Sequence, residues 1–195
     1  MIKEPICVHI SDKHSEKVMD FAEKVSLTTN YSDCGQNDYR LKVYQHYIGK
    51  MGELATFLYL RKGYEINEPD FKIYHGKDKS WDSDLKVGKV HISIKTQDIS
   101  SAKRFGLSWT FQHINGGRSD ASIKSETLVI PTLYDNSYYD KTRIVLFPSI
   151  DIRDVVFGEP KKESLKGKKL VMYANDNYKD LDEWLEDLNI ELISS

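Results

Sequence analysis

Asp82, Asp84, His91, Ser93, Lys95 and Gln97 alternate along two short segments on either side of Gly88 and Lys89, and their side chains are of the kinds that hold cations and phosphates. Residues 83–87 and 90–97 are patterned as strands, and a two-residue turn at Gly88-Lys89 joins them as a hairpin. Counting outward from that turn pairs Val87 with Val90, Leu85 with Ile92, Asp84 with Ser93 and Asp82 with Lys95. Strand alternation sends Val90, Ile92 and Ile94 into a core and turns His91, Ser93, Lys95 and Gln97 the other way, beside Asp82 and Asp84. Directly opposed side chains sit about 5 Å apart at Cβ, close enough for carboxylates and an ammonium to share one cation and one phosphate group. A solvated hairpin face with salt bridges gives the same alternation, so the pattern needs a further acid to decide it.

Glu53 supplies that acid. Residues 39–62 have helical periodicity, with Tyr44, Tyr47, Ile48, Met51, Leu54, Ala55 and Leu58 along one core-facing stripe. On the opposite side Gly49, Glu53, Phe57 and Leu60 fall within one sector, so Glu53 has aromatic and aliphatic neighbours in place of charged ones. A carboxylate so placed needs a metal ion or a lysine, because burying an unpaired charge costs several kcal/mol. An exposed glutamate favoured by helix propensity is the plainer reading.

The elements that position these groups follow in order. A first helix is expected over 11–27, with Ser11 as its cap and Val18, Phe21, Ala22 and Val25 at helical spacing. A polar loop covers 30–38, and the helix over 39–62 stops at Gly63. A strand over 65–74, a charged turn over 75–80 and the hairpin come next. Strands are then expected at 107–112, 127–133, 143–148 and 169–173, with a break at Gly116 and Gly117 and a short helix at 151–156. An amphipathic helix over 178–188 closes the chain, with Leu181, Trp184, Leu185 and Leu188 on one face.

Apolar residues make up 39%, charged residues 30% and aromatic residues 11% of the 195, the balance of a chain that folds by itself as one domain spanning 1–195. Cys7 and Cys34 give no disulfide framework, and no stretch approaches the roughly 20 apolar residues of a membrane helix. A reducing, cytoplasmic setting with no membrane partner is therefore expected. The formal charge of −2 argues against a nonspecific polycation that coats nucleic acid. The histidines lack zinc-ligand spacing, and neither a Walker loop nor a dinucleotide glycine fingerprint is present.

Four segments occur in a telling order: Gly-Lys-Met-Gly-Glu at 49–53, Lys-Gly-Tyr-Glu-Ile at 62–66, Trp-Asp-Ser-Asp-Leu-Lys-Val at 81–87 and His-Ile-Ser-Ile-Lys-Thr-Gln at 91–97. Over about residues 44–97 the chain resembles the restriction-endonuclease-like, PD-(D/E)xK nuclease superfamily. The resemblance implies an α/β (α+β) fold with a restriction-endonuclease-like core, a central mixed sheet flanked by helices, and a catalytic core at about 39–150. It implies a metal-dependent endonuclease that hydrolyses DNA phosphodiester bonds, of the restriction, phage or repair type, often working as a homodimer. Glu53 matches the helix glutamate that some members use as a metal ligand, Asp84 the strand aspartate that binds the metal, and Lys95 the lysine that orients or activates the attacking water. The carbonyl of Ile94 matches a main-chain ligand, and Mg²⁺, with Mn²⁺ as a substitute, is the implied cofactor.

Carboxylates suit a hard divalent ion, which polarises the phosphate and lowers the pKa of a bound water. Such an acidic site also offsets basic residues that grip phosphates elsewhere, consistent with a net charge near zero. Ser93 departs from the pattern, standing where the family has Asp or Glu. Asp82 or Glu53 could replace that charge. The alternative is a catalytically inactive domain of this fold that binds nucleic acid or a protein partner. Pro69-Asp70 spells the literal motif and makes Asp70 a competing ligand, while a further alternative makes Glu53 and Lys95 a structural ion pair. Beyond the hairpin, Lys103, Arg104, Trp109, Gln112 and Arg118 mix basic, amide and aromatic types suited to phosphates and bases, with Lys103, Arg104, Gln112 and Arg118 as the candidate DNA contacts. Lys161, Lys162, Lys166, Lys168 and Lys169 form a second basic cluster, read first as a solvated loop.

Overall fold

The computed structural model describes residues 1–28, 38–74, 83–112, 127–137 and 142–192. In chain order the elements are β1 (Ile6–His9), α1 (Asp12–Thr28), α2 (Tyr39–Leu60), β2 (Leu85–Val87), β3 (Val90–Asp98), α3 (Ile99–Phe105), β4 (Ser108–Gln112), β5 (Thr127–Asp135), β6 (Arg143–Leu146), β7 (Ile150–Asp151), β8 (Phe157–Gly158), β9 (Lys169–Tyr173), α4 (Ala174–Asn177) and α5 (Leu181–Asp187). The architecture is a mixed α+β arrangement in which a mixed sheet is flanked by helices. That sheet runs β1-β6-β5-β3-β2, with β7 also paired to β5. Among the described residues, β3 and β5 alone pair in parallel. A second sheet, β4-β9-β8, is antiparallel throughout.

Two apolar layers sit on the two faces of the main sheet. Ile92, Ile94 and Ile130 pack with Met51, Leu54, Phe57 and Leu60 of α2 and with Val18 and Ala22 of α1. Val129, Leu133 and Val145 pack on the other face with Trp109, Phe111, Met172 and Leu181. Strand parity accounts for the split, since neighbouring residues of β3 and β5 point to opposite faces. β5 is buried from Val129 to Asp135, as expected of a central strand covered on both sides. A buried ion pair, Arg143 Nε to Asp135 Oδ2 at 2.7 Å, joins β6 to β5, and Arg143 Nη1 also donates to the Leu188 carbonyl just beyond α5. Among the described residues no helix is long and apolar enough to cross a membrane.

α2 starts where the Asp38 carboxylate accepts the N–H groups of Arg40 and Leu41, a conventional N-cap. From Tyr47 to Leu60 it is buried on almost every side, so the expected single core stripe is widened by Gly52, Thr56, Phe57 and Leu60. The cause is double packing, against the sheet on one side and α1 on the other. Gly52 sets the spacing. A Cβ there would lie 2.1 Å from Thr96 Oγ1 and 2.7 Å from Thr132 Oγ1, so the helix meets β3 and β5 backbone-first.

The hairpin has the expected register, Leu85 facing Ile92 and Val87 facing Val90, around Gly88 at φ 57°. Two expectations are corrected. Residues 65–74 join no strand among the described residues. They cross the outside of the molecule, held by side chains such as Asn67, whose Oδ1 accepts the Lys86 N–H. The closing helix over 178–188 is α5 alone, because Tyr178 is extended and its ring is buried, with Oη donating to the Pro148 carbonyl at 2.7 Å. β1 and α3 complete the picture; α3 is capped by Asp98, whose Oδ1 accepts the Ser101 N–H.

Replacing Gly52 tests the close approach. Gly52→Ala should lower unfolding stability in urea by about 1–3 kcal/mol despite the better helix propensity of alanine. Adding Thr96→Ala, which removes the nearer hydroxyl, should restore part of the loss. Full stability in the single variant would mean that α2 does not rest on β3 and β5 in this way.

Candidate functional site

Asp84 sits where the hairpin ladder ends. The residue bends out of β2, and its carboxylate turns back so that Oδ2 accepts the Ile94 N–H at 2.7 Å. Sequence pairing placed it beside Ser93 on one face; the bend moves its carboxylate to the edge of β3 instead. Ser93 itself is 5% exposed, closed in on the face opposite α2.

Glu53 projects from α2, immediately after the backbone contact at Gly52. Its side chain is 17% exposed and its Oε2 takes the Lys50 ammonium at 2.5 Å. Lys50 is more enclosed still, at 10%, and donates also to the Asp70 carbonyl at 2.9 Å. Its Nζ lies 5.0 Å from the Phe21 ring centroid and 5.6 Å from that of Phe71, two rings that meet edge to face. Cation and rings attract through the ring quadrupole, so Lys50 is tied to α1 and to the crossing segment at once. The glutamate is thus paired with Lys50, not Lys95.

Burial is the largest influence on Glu53 and raises its carboxyl from an ordinary 4.5 to about 7. Lys50 pulls the other way, while the charges of Asp84 and Asp70 add to the rise. Asp70, the competing ligand, is exposed and engaged by its own segment: Oδ1 accepts the Lys72 N–H and Oδ2 the Tyr74 hydroxyl. Burial opposes these bonds, yet together they hold its carboxyl below the usual range.

Lys95 leaves β3 on the face away from α2, with Nζ 5.0 Å from the Phe111 ring centroid. Glu53 and Lys95 therefore approach from opposite sides of β3, with Asp84 at its edge between them. On the Lys95 side His91 Nδ1 and Ser83 Oγ are 2.9 Å apart. Lys103 and Arg104 are exposed in the last turn of α3, and Gln112 is exposed at the end of β4. Trp109 cannot stack on a base: it is 1% exposed and its Nε1 donates to the Thr132 carbonyl at 2.9 Å. Asp82 and Arg118 lie outside the described residues.

Among the described residues no three His, Cys, Asp or Glu side chains gather as a cation site. The oxygen donors near one another are two carboxylates, Glu53 and Asp84, with the Ile94 carbonyl on the strand that Asp84 grips. That sparse set fits Mg²⁺, which keeps several waters and is usually bound through one or two carboxylates. The mutual repulsion of Glu53 and Asp84 is what such a cation would relieve. Lys50 is the site residue that sequence reasoning missed. Its three-residue spacing from Glu53 in Gly-Lys-Met-Gly-Glu is the signal that could have found it. No family model, no curated protein and no solved structure matches this chain.

The raised Glu53 carboxyl has a measurable sign. The folded chain holds this proton more tightly than the unfolded chain, so the contribution is present below about pH 4.5 and is lost as pH rises through about 7. Thermal melts between pH 5 and pH 8 should show a steeper fall in stability for the wild type than for Glu53→Gln, which cannot titrate there. Parallel pH profiles would place Glu53 in water.

Proposed function

We propose that this chain is a divalent-cation-dependent DNA endonuclease of the PD-(D/E)xK type, built on a restriction-endonuclease-like core. The observation that carries the reading is the placement of the Asp84 carboxylate, fixed on the Ile94 N–H and close enough to Glu53 to raise its carboxyl. The hairpin of β2 and β3, the parallel β3–β5 pair and a helix bearing Glu53 on the same sheet support the fold assignment. Glu53, Asp84 and the Ile94 carbonyl would hold Mg²⁺, or Mn²⁺ in its place. When bound, the cation would polarise the scissile phosphate and lower the pKa of a water. Lys95, one residue past Ile94, would hold its ammonium toward the phosphate and offset developing negative charge. Lys50 keeps Glu53 from turning away. Lys103, Arg104 and Gln112 would contact the DNA backbone.

A second reading has its own observation. Ser93 stands in the acidic position of the motif and is buried, and Lys50 already neutralises Glu53. On that basis the domain would bind nucleic acid or a protein partner without cleaving.

Supercoiled plasmid separates the two. Nicking that needs Mg²⁺ or Mn²⁺ should fall about 100-fold or more in Asp84→Asn and in Lys95→Ala, with folding retained by circular dichroism. Asparagine still offers an oxygen to the Ile94 N–H, so loss in that variant reports chemistry. Undiminished nicking in both variants would remove the assigned site, and retention of DNA without nicking under either cation would favour the silent domain.

A further inference from the structure

We propose that Lys161 joins Lys103 and Arg104 in one surface that receives the phosphodiester backbone of a nucleic acid and that continues from Lys95 along the same face of β3; this rests on the nuclease reading above. Lys161 comes from a segment distant in sequence from Lys95, Lys103 and Arg104, and a chain of hydrogen bonds and close approaches brings the segments together. Lys95 and Gln97 are two residues apart on β3, so they share a face and stand about 7 Å from each other. Gln97 staples the turn after α3 to that strand: its Nε2 donates to the Gly106 carbonyl at 3.0 Å, and its Oε1 accepts the Ser108 N–H at 2.8 Å.

Gly106 has φ 82° and ends α3 directly after the turn that carries Lys103 and Arg104. The Lys161 ammonium comes to this point, 3.7 Å from where a Gly106 Cβ would stand. Lys161 is held there from its own segment. Its N–H donates to Tyr173 Oη at 3.0 Å, that hydroxyl donates to the Glu159 carbonyl at 2.8 Å, and the Lys161 Nζ lies 5.5 Å from the Tyr173 ring centroid.

Arg104 is likewise backed by a ring, 5.0 Å from the Phe105 centroid, as Lys95 is by Phe111. Long cationic side chains laid along rings lose less rotamer freedom when they grip a ligand than freely solvated ones do. Lys166, by contrast, is paired with Glu163 at 2.6 Å and belongs less to this surface. A row of exposed or ring-backed cations suits a repeating anion, and phosphates gripped in this way set the register of a nucleic acid without reading its bases.

The test is fluorescence anisotropy of the full chain with labelled DNA and RNA duplexes in EDTA, where no metal-dependent hydrolysis proceeds; the tighter duplex identifies the nucleic acid this surface prefers. Lys161→Glu, and Lys103→Glu with Arg104→Glu, should each weaken binding several-fold and make the dependence of log K on log salt shallower by about one for each phosphate no longer neutralised. Lys24→Glu, on α1 beyond the opposite face, should change neither. The proposal is overturned if the charge reversals leave affinity and salt slope as in the wild type, or if the wild type retains neither duplex. Charge-sensitive binding without plasmid nicking supports the surface and sinks only hydrolysis, while nicking with charge-insensitive binding does the reverse.

Discussion

The structure depends on one close approach, the seating of Gly52 against the paired hydroxyls of Thr96 and Thr132. Those hydroxyls are 2.9 Å apart, and Thr56 turns its own hydroxyl back onto the Gly52 carbonyl at 2.9 Å, so the contact zone is polar but satisfied. With no side chain between helix and strands, α2 drops onto the sheet and is enclosed by α1 from above. Glu53 is the next residue, and the same seating withdraws it from water. Helix geometry thus becomes electrostatics, since burial is the leading reason its carboxyl is raised to about 7.

The negative charges of Asp84 and Asp70 both bear on Glu53, and Lys50 offsets them. The ammonium holds Glu53 Oε2 and the Asp70 carbonyl together, and the Phe21 and Phe71 rings fix its position. Removing one partner from so enclosed a pair leaves an uncompensated charge, which is worse than never having built the pair. The same clamp explains how residues 64–74 keep their place without a strand ladder. Side chains do the holding: Lys50 donates to the Asp70 carbonyl, the Asn67 side chain accepts the Lys86 N–H of β2, and Phe71 packs on α1.

Local rules were most informative where a turn or an alternation left little freedom. The two residues Gly88 and Lys89 dictated the pairing of Leu85 with Ile92, and Lys169–Tyr173 was bounded by its own pattern. They failed where a side chain competes with the backbone. Asp84 was assigned to a ladder position, yet its carboxylate takes the Ile94 N–H and pulls the chain out of the strand. Residues 65–74 carry strand-forming types but meet no strand edge among the described residues, so their backbone pairs with side chains. Short elements also escaped notice: β1 has four residues and gains its meaning only from pairing with β6, and α3 is announced by little more than the Asp98 cap. The candidate acids and Lys95 were singled out by residue type and order. Their placement on two sides of β3 was not, because it depends on which face α2 covers.

That placement constrains where chemistry can occur. A ligand that meets Glu53 from one side of β3 and Lys95 from the other must lie beyond the strand edge, at the point where β2 has ended at Leu85 and Asp84 has turned inward. Ser93 does not reach this edge, being enclosed on the face opposite α2. An acid at position 93 would have to pass the same enclosure to serve a cation there. In the proposed site Asp84 and the Ile94 carbonyl border the edge directly, and Glu53 reaches it from α2. Under the proposed reading, a serine at position 93 leaves the far side of the strand without an acid, while the Asp84 and Ile94 donors beside the edge remain.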